Sequence, residues 1–514
     1  MDLDSWFGVA SALATHPVAV AIQIQGCVIY LALAMGWAFA TMIRGRELAK
    51  MKRAQRNGNS LAFLNVDVES FEHGAQAMLP RVTVVMPVKG FGEHTIRNWR
   101  SQLISLYGGP LEFIIVVESM KDPAYAAISK LIYELKDDVL AKVLVAGLSA
   151  TCSQKIHNQL AGISAMHKES KYVLFLDDDV QLHPGTVGAL VDKMTPEIFV
   201  LTGYPFDIPS GSLGSYCIYE YHMPCSIGFA TGGRTFFLWG GCMMMHAEDF
   251  RQDRYNMVTG LRNGGYSDDM TLAAVAGAHH RVISSPPVAV FFHPLSQNLS
   301  FSRYWNYLRK QTFVLESYNS QVNWLMNRAL FFSHCWLSWS FVAPYVLVIA
   351  QLAVAFRAML CPSPDAAILY RTGLSSVPFT HGSPFLFYFY LLAGLVMAGI
   401  VAICSVIESL SLQRLSAVII SLCNELSPEK PPVSIKTYNW FMVFVAMVVD
   451  NFLYPVSAVY SHWSQFIDWA GVRYHLRHGK VYQIERPSLL AERQASVKKT
   501  KTKAFPHKKH LWCQ

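Results

Sequence analysis

The sequence predicts an α/β domain built on a parallel sheet, with apolar membrane segments before and after it. Only 15% of the 514 residues are charged and 52% are hydrophobic, whereas a soluble protein carries about 25% charged residues. Long uncharged runs lie near the N-terminus and in the C-terminal part of the chain, separated by a stretch of ordinary charge density. In that stretch, short apolar runs alternate with helix-like runs, a pattern typical of parallel α/β sheets.

Four segments account for the apolar character of the chain. Residues 17–43 and 329–356 contain no charged side chain and are long enough to cross a bilayer as helices, and residues 384–407 predict a third transmembrane helix. Residues 437–460 are interrupted by Asp450, and an ionisable group in hydrocarbon is costly. We interpret this segment as transmembrane or re-entrant. We favour the re-entrant alternative, because a crossing would place the basic C-terminus in the lumen.

The net charge of +8 comes from two clusters beside these segments. Residues 44–56 hold six Lys or Arg and one Glu, and residues 473–510 hold eleven Lys or Arg and two Glu. The rest of the chain is slightly acidic, so we predict no nucleic-acid partner. Basic clusters next to apolar segments are typical of the cytosolic face of a lipid bilayer. Ten cysteines without a CxxC pair also suit reduced, cytosolic surroundings.

These patterns divide the chain into segments. We expect a multi-pass membrane protein whose globular domain faces the cytosol. Besides the four apolar segments, the predicted parts are a lumenal N-terminus (1–16), a basic juxtamembrane linker (44–80), a cytosolic α/β domain (81–320) and a basic C-terminal tail (461–514).

The predicted sheet places acidic residues at one of its edges. Helices are expected at 94–107 and 122–135, and strands at 81–88, 111–117, 142–146 and 172–176. Ligands of parallel sheets bind at the carboxyl ends of the strands. Glu118, Asp122 and the run Asp177 to Asp179 all follow such ends.

The run of three aspartates is the sharpest signal in the domain. Adjacent carboxylates repel one another, and a divalent cation bound to a diphosphate removes that repulsion. Asp177 and Asp179 project to the same side if the strand geometry continues, which makes them candidate ligands for Mg²⁺ or Mn²⁺. The alternative is a solvated acidic turn.

The neighbouring candidates each have a structural alternative. Asp122 precedes Pro123, and an aspartate before proline fits a helix N-cap as well as a nucleotide contact. Glu118 is a second candidate for that contact. Lys155 is a candidate diphosphate partner and equally a candidate surface lysine.

Three further features lie later in the domain. Asp268 and Asp269 precede a helix-like run, so each is a candidate helix cap and a candidate base. The segment Trp239–Met245 combines glycines, which allow close backbone approach, with methionines, which form an adaptable apolar surface. Its alternative is a packed core strand. His222 is a candidate core residue or acceptor contact.

Together these motifs resemble GT-A glycosyltransferases of the family 2 type, and within them the ceramide glucosyltransferases. The likeness covers most of the chain outside the Lys-rich end. The matching residues are Lys89–Gly90 of P-x-K-G, the three aspartates Asp122, Asp177 and Asp269, Trp305 with Leu308–Arg309 of W-x-x-L-R, and Trp469–Arg477 of W-x-x-G-R-Y-x-L-R.

The resemblance implies an inverting enzyme of the Golgi or endoplasmic reticulum membrane that transfers glucose from UDP-glucose to the primary hydroxyl of ceramide. It implies catalytic roles for Asp269 as base and for Arg303 and Trp305. The residues implied for the nucleotide sugar are Lys89, Glu118, Asp122, Lys155, Asp177, Asp179 and Arg309. Those implied for the acceptor are His222, Gly240, Gly241, Met243 and Asp268.

Two departures from the family and two other interpretations remain. The second aspartate of the family falls within a run of three here, so the metal role of Asp179 is implied by GT-A enzymes in general. The (Q/R)xxRW motif reads Phe301-Ser-Arg303-Tyr-Trp305, so tyrosine replaces the last arginine, and Arg303 or Arg309 is the candidate replacement cation. A dolichyl-phosphate or polysaccharide-type transferase would share the sheet and the acidic run, although a processive enzyme needs more spans and an intact motif. An inactive membrane scaffold with the same fold is the non-enzymatic alternative.

Overall fold

A mostly parallel eight-stranded sheet forms the centre of the globular domain. The computed structural model describes residues 3–58, 79–360 and 384–487. The strands of the domain are β1 (Val82–Pro87), β2 (Leu111–Val117), β3 (Ala141–Val145), β4 (Tyr172–Leu176), β5 (Ile198–Thr202), β6 (Tyr204–Ile208), β7 (Arg234–Thr235), β8 (Cys242–His246), β9 (Val282–Ser284) and β10 (Val290–Pro294). The sheet order is β3-β2-β1-β4-β8-β5-β9-β7, with the first four strands parallel and β8 antiparallel to both of its neighbours. Strands β6 and β10 form a separate parallel pair.

Helices cover both faces of the sheet. The α-helices of the described residues are α1 (Leu3–Ala14), α2 (Pro17–Arg56), α3 (Thr95–Leu103), α4 (Pro123–Glu134), α5 (Gln154–Ser164), α6 (Thr186–Lys193), α7 (Leu213–Phe229), α8 (Ala247–Arg251), α9 (Met257–Arg262), α10 (Asp268–Ala278), α11 (Phe301–Phe313), α12 (Gln321–Leu360), α13 (Pro384–Leu426) and α14 (Trp440–Ser464). Alternate residues of a strand point to opposite faces. Val84 packs in the core formed with α3 and α4, and Val85 packs in the core formed with α5. Burial on both faces explains why β1 is apolar except for Thr83.

The predicted α/β fold class, a domain built on a largely parallel sheet between N-terminal and C-terminal apolar helices, is confirmed. The strands predicted at 111–117 and 172–176 coincide with β2 and β4. Helix α3 ends at Leu103 rather than Tyr107, because the backbone of Ile104 is extended. The sequence did not predict that β8 pairs between β4 and β5. The order of strands and helices along the chain does not show where an antiparallel strand joins the sheet.

Four helices, α2, α12, α13 and α14, are long and apolar enough to cross a membrane. Helix α2 continues to Arg56, so the linker predicted at 44–80 begins as helix, and its residues 59–78 lie outside the described part of the chain. Helix α13 likewise runs past residue 407, and its later residues Leu415 and Cys423 are buried in the core of the globular domain. Each of these two helices therefore joins an apolar segment to the domain without a break.

Both ends of α14 contact the globular domain. At its start, the backbone N–H of Asn439 donates to Tyr216 Oη at 2.8 Å. Near its end, Ser461 Oγ donates to the backbone oxygen of Arg309 at 3.4 Å. The helix is therefore held against the domain at both of its ends. The assignment of residues 437–460 as transmembrane or re-entrant stays a prediction.

A three-stranded antiparallel sheet follows α14. Its strands are β11 (Phe466–Trp469), β12 (Val472–Arg477) and β13 (Lys480–Glu485). Buried residues alternate along β12, as expected for a strand with one packed face, and Tyr474 and Leu476 share a core with Tyr266 and Phe313 of the domain. The segment predicted as a basic tail therefore begins with a folded sheet, while residues 488–514 lie outside the described residues.

Candidate active site

The carboxyl ends of β1 and β2 bring the first predicted donor residues together. Lys89 Nζ lies 2.8 Å from Glu118 Oε2. Asp122 Oδ1 accepts hydrogen bonds from the backbone N–H groups of Gly90 and Ala124, each at 2.9 Å. Asp122 is thus the N-cap of α4, as its structural alternative required, and it also fixes the loop that follows β1.

Lys155, in the first turn of α5, joins three segments of the chain. Its Nζ lies 2.8 Å from Asp177 Oδ1 after β4, 3.2 Å from Asp268 Oδ2 at the start of α10, and 3.2 Å from the backbone oxygen of Gly240. Gln159, one turn later, donates to Asp268 Oδ2 at 2.7 Å. Burial alone would lower the pKa of Lys155, but Asp177 and Asp268 outweigh it and raise that pKa. The lysine is therefore a fixed cation between the predicted donor and acceptor residues.

The acidic run contains carboxyl groups in different environments. Gln102 of α3 shapes the run by donating to the backbone oxygens of Asp177 and Val180, at 2.7 and 3.0 Å. Burial raises the pKa of Asp177 to about 6 against the opposing effect of Lys155, and burial also raises the pKa of Asp178. The side chain of Asp179 is 56% exposed. Asp179 is therefore the carboxylate of the run that is most open to a ligand.

Asp269 lies beside Asp268 but has different partners. Ser267 is the N-cap of α10 and accepts from Met270 N–H. Asp269 Oδ1 hydrogen-bonds to the Ser267 hydroxyl and accepts from Met270 N–H at 2.7 Å. No partner of Asp269 Oδ2 is found among the described residues. Burial, followed by the charge of Asp268, raises the pKa of Asp269, as suits a carboxylate that must accept a proton near neutral pH.

A buried network of two histidines lies next to the acidic run. Asp207 of β6 accepts from His222 Nδ1 at 2.5 Å and from His293 Nδ1 at 2.6 Å. His222 Nε2 lies 2.6 Å from Tyr307 Oη, and His293 Nε2 lies 3.6 Å from Asp179 Oδ2. The network connects α7 and α11 to the exposed end of the acidic run.

The network also shifts the pKa values of Asp207 and His293. Burial opposes ionisation of Asp207, but the two histidines lower its pKa to about 2. Burial likewise opposes protonation of His293, but Asp179 and Asp207 raise its pKa to about 9. Sequence reasoning identified only His222. Asp207 and His293 lie within apolar strands, and nothing in the spacing of β6 and β10 indicated that they would meet.

Helix α11 places its cations differently from the prediction. Arg303 is exposed in the first turn, and Trp305 is partly buried against the domain core. The guanidinium of Arg309 lies over the ring of Tyr460, 4.4 Å from its centroid, and Nη2 donates to the backbone oxygen of Phe466 at 3.5 Å. Arg309 is therefore held against α14 and β11, and the structure does not bring it to the carboxylates.

Lys310 is the cation that sequence reasoning missed. Its Nζ lies 4.1 Å from the centroid of the Trp469 ring. Burial lowers the pKa of Lys310, the charge of Lys155 adds to this effect, and the nearby Asp177 and Asp179 oppose it. The helical spacing of Arg303, Tyr307 and Lys310 was the available signal, because residues at i, i+4 and i+7 share one face.

The C-terminal sheet covers this group of residues. Tyr474 Oη accepts from the backbone N–H of Gln154 at 3.1 Å, next to Lys155. The rings of Trp469 and Tyr474 pack on Tyr266, with centroids 6.0 and 5.8 Å away. Because Tyr266 precedes Ser267 and the two aspartates, the sheet supports both the lysine and the candidate base.

Of the residues predicted in the acceptor segment, Gly240 and Gly241 lie at the site and Met243 lies in the core. Gly240 accepts from Lys155, and the backbone oxygen of Gly241 accepts from Asp177 N–H at 3.0 Å. Met243 is fully buried and packs with Val85 and Phe175. The acceptor role predicted for Met243 is therefore not retained, because β8 is a central strand with both faces covered.

We expect Gly240→Ala to lower activity while leaving the fold intact. A Cβ at Gly240 would lie 2.8 Å from Asp268 Oδ1 and 3.1 Å from Lys155 Nζ, so the ion pair would have to separate. Misplacing catalytic groups by about 1 Å costs roughly 10²-fold in rate. Steady-state transfer rates measure the effect. Gly277→Ala on α10 is the matched control, because a Cβ at Gly277 has nothing within 4 Å. Unchanged rates in Gly240→Ala would contradict this prediction.

The residues can bind a metal ion only if a bound ligand supplies some of the coordinating atoms. Within the described ranges, no group of three or more His, Cys, Asp or Glu residues is placed to hold a metal. Asp177 is engaged by Lys155, whereas Asp179 is open. Magnesium is commonly bound by one or two carboxylates together with substrate phosphates. The acidic run suits that arrangement.

Part of the chain matches the model of a known protein family. Residues 12–223 match the family model of glycosyl transferase family 21. Family 21 includes ceramide glucosyltransferases, so the predicted resemblance is confirmed over this segment, and glycosyl transfer is supported as the general activity. The family 21 match contains Lys155 and Asp177 but ends before Asp269 and α11.

Among solved structures, the chain is similar to the mannosyltransferase PcManGT from Pyrobaculum calidifontis, described in complex with GDP-Man and Mn²⁺. The two chains share 14% sequence identity with a TM-score of 0.35, over 72% of this chain and 98% of the other. No curated protein sequence matches this chain.

Proposed function

We propose that this protein is an inverting glucosyltransferase that uses UDP-glucose and ceramide, and that the acidic edge of the sheet is its active site. One observation carries the proposal: Lys155 bridges Asp177, at the end of a sheet strand, and Asp268, beside the candidate base. This bridge holds donor-binding and acceptor-activating groups next to each other. The family 21 match supports a sugar donor, and the apolar helices support a lipid acceptor.

On the donor side, Lys89, Glu118 and Asp122 would contact the nucleoside at the ends of β1 and β2. Asp177, held by Lys155, would contact the ribose and sugar. A divalent cation, Mg²⁺ or Mn²⁺, held between Asp179 and the diphosphate would neutralise charge on the leaving UDP. Lys310 would supply the remaining positive charge, in the role for which Arg303 and Arg309 were the candidates from sequence.

On the acceptor side, Asp269 would remove the proton from the primary hydroxyl as its oxygen attacks the anomeric carbon. The C–O bond to the diphosphate breaks in the same step, and UDP leaves with the electron pair. One base and a direct displacement invert the anomeric centre, since retention would require an additional nucleophile. His222, oriented by Asp207 and Tyr307, would contact the acceptor head. The roles predicted for Arg303 and Trp305 stay predictions.

We expect the protein in lipid nanodiscs to transfer label from UDP-glucose to ceramide. The same preparation is offered UDP-galactose and GDP-mannose as donors, and dolichyl phosphate as acceptor. Lipid extraction and chromatography separate the products. Labelled dolichyl-phosphate sugar without labelled ceramide would favour the dolichol-linked alternative. No product from any pair would favour the inactive scaffold.

Chelation tests the shared metal separately. We expect EDTA to abolish transfer and added Mg²⁺ or Mn²⁺ to restore it, because the described residues offer too few ligands to keep a metal without the diphosphate. For the same reason, EDTA should stop transfer immediately, and added metal should restore it fully. Full activity in excess EDTA would contradict a metal-dependent donor site, although not glycosyl transfer itself.

A further inference from the structure

The loop 230–241, which joins α7 to β8 and contains the two-residue strand β7, exposes two aromatic rings on the surface of the globular domain. Phe236 is 96% exposed and Phe237 is 46% exposed. Burying a phenylalanine side chain stabilises a fold or a complex relative to leaving the ring in water. Two neighbouring rings left open on a folded domain therefore indicate a contact that lies outside the described residues.

The base of this loop lies against the end of the first apolar helix. Gly232 approaches Ile43 of α2 so closely that a Cβ at Gly232 would be 3.3 Å from Ile43 Cγ2. Ile43 is the last residue of the uncharged run, and Arg44 begins the basic cluster. At the end of α7, Ile227 packs into the space left by Gly36 of α2. The loop is therefore anchored where α2 passes from apolar to basic sequence, the level of a membrane interface.

The other end of the loop enters the candidate active site. Phe237 packs on Phe229 of α7, with ring centroids 5.8 Å apart. Four residues after Phe236 the chain reaches Gly240, whose backbone oxygen accepts from Lys155. An extended chain of that length spans about 14 Å. The loop thus runs directly from the membrane level to the residues beside the candidate base.

We propose that Phe236 and Phe237 insert into the lipid bilayer and form the port through which a lipid acceptor reaches Asp269. The two rings contact a lipid surface, because the base of the loop packs against α2 where its apolar run ends. Arg234 is exposed in the same loop and suits anionic headgroups. Aromatic rings beside a basic residue are typical of segments that lie in the interface. The acceptor-port role rests on the proposed function, whereas insertion of the rings does not.

Photo-crosslinking in nanodiscs tests the insertion. A benzoylphenylalanine is placed at Phe236 in the full chain, and at Tyr133 as a matched control, which is 71% exposed on α4. After irradiation, mass spectrometry identifies the adducts. We expect phospholipid adducts at position 236 and none at position 133. Adducts to a second copy of the chain, equal lipid labelling at both positions, or no lipid adduct at 236 would each overturn insertion.

Activity tests the port. Phe236→Ser should leave thermal unfolding unchanged, because the ring is almost fully exposed. We expect transfer to long-chain ceramide in the bilayer to fall about tenfold, the equivalent of one lost ring contact with lipid. Transfer to a short-chain, water-dispersed ceramide should be unchanged. Equal loss with both acceptors, or no loss with either, would overturn the port. If the wild type glucosylates neither acceptor, the proposed function fails, and the crosslinking result still decides insertion.

Discussion

Asp269→Asn is expected to abolish measurable transfer without weakening the fold. An asparagine keeps the oxygen that accepts from Met270 N–H at the start of α10, so the helix cap is preserved. It removes the only property that a base needs, a carboxylate able to take a proton. General-base catalysis contributes typically 10² to 10⁴-fold in rate. We therefore expect kcat to fall by at least about 10²-fold while the KM for UDP-glucose stays near its wild-type value.

Two measurements separate this result from a structural effect. Ser267→Ala removes the N-cap hydroxyl together with its hydrogen bond to Asp269 Oδ1, and it should cost about 1 kcal/mol of helix stability. Because the carboxylate remains, the loss of activity should be much smaller than in Asp269→Asn. Thermal unfolding of Asp269→Asn should match the wild type. Wild-type kcat in Asp269→Asn would remove Asp269 as the base. A large drop in melting temperature would show that the residue serves the fold.

The neighbouring Asp268 is not an equivalent test. Its carboxylate is 7% exposed and pairs with Lys155 while accepting from Gln159. Removing one partner of a buried ion pair is strongly destabilising, because the other charge is left uncompensated. Loss of activity in Asp268→Asn would therefore report damage to the Lys155 contacts as much as any chemical role.

The sequence predicted the sheet and its acidic edge because both depend on local signals. Short apolar runs such as β1 and β4 are recognisable in isolation, and carboxylates at strand ends follow from the parallel arrangement. Lys155 was predicted as a diphosphate partner or a surface lysine. Its contact with Asp268 joins positions more than a hundred residues apart, and the spacing of residues in helices and strands predicts only contacts between near neighbours in sequence.

The parts that the sequence did not predict depend on contacts between distant elements. Asp207 and His293 lie together because β6 and β10 pair in parallel. The sequences of the two strands do not indicate this pairing. The strands β11 to β13 lie in a segment dominated by its basic charge, so composition obscured the alternation along β12. Lys310 was overlooked because its neighbour Arg309 matched the family motif.

Lys310→Met is expected to show which cation meets the diphosphate. Methionine keeps an unbranched apolar chain against the ring of Trp469, where Lys310 Nζ now lies 4.1 Å from the centroid, and it removes the charge. Lys155 cannot substitute, since it is already paired with both Asp177 and Asp268. Loss of one group that stabilises developing charge typically costs about 10² to 10³-fold in kcat. We expect a loss of that size for Lys310→Met, measured with UDP-glucose, and substantial recovery in Lys310→Arg.

Arg309→Met is the matched control, because the two residues are adjacent on α11 and both cations lie over aromatic rings. The guanidinium of Arg309 is held by Tyr460 and the backbone oxygen of Phe466. Its loss should lower the melting temperature and change kcat by less than tenfold, because it reaches the C-terminal sheet and not the carboxylates. If Arg309→Met instead abolishes transfer while Lys310→Met is as active as the wild type, the family motif identifies the catalytic cation correctly. In that case the cluster of Lys155, Lys310 and the acidic run would have to rearrange when UDP-glucose binds.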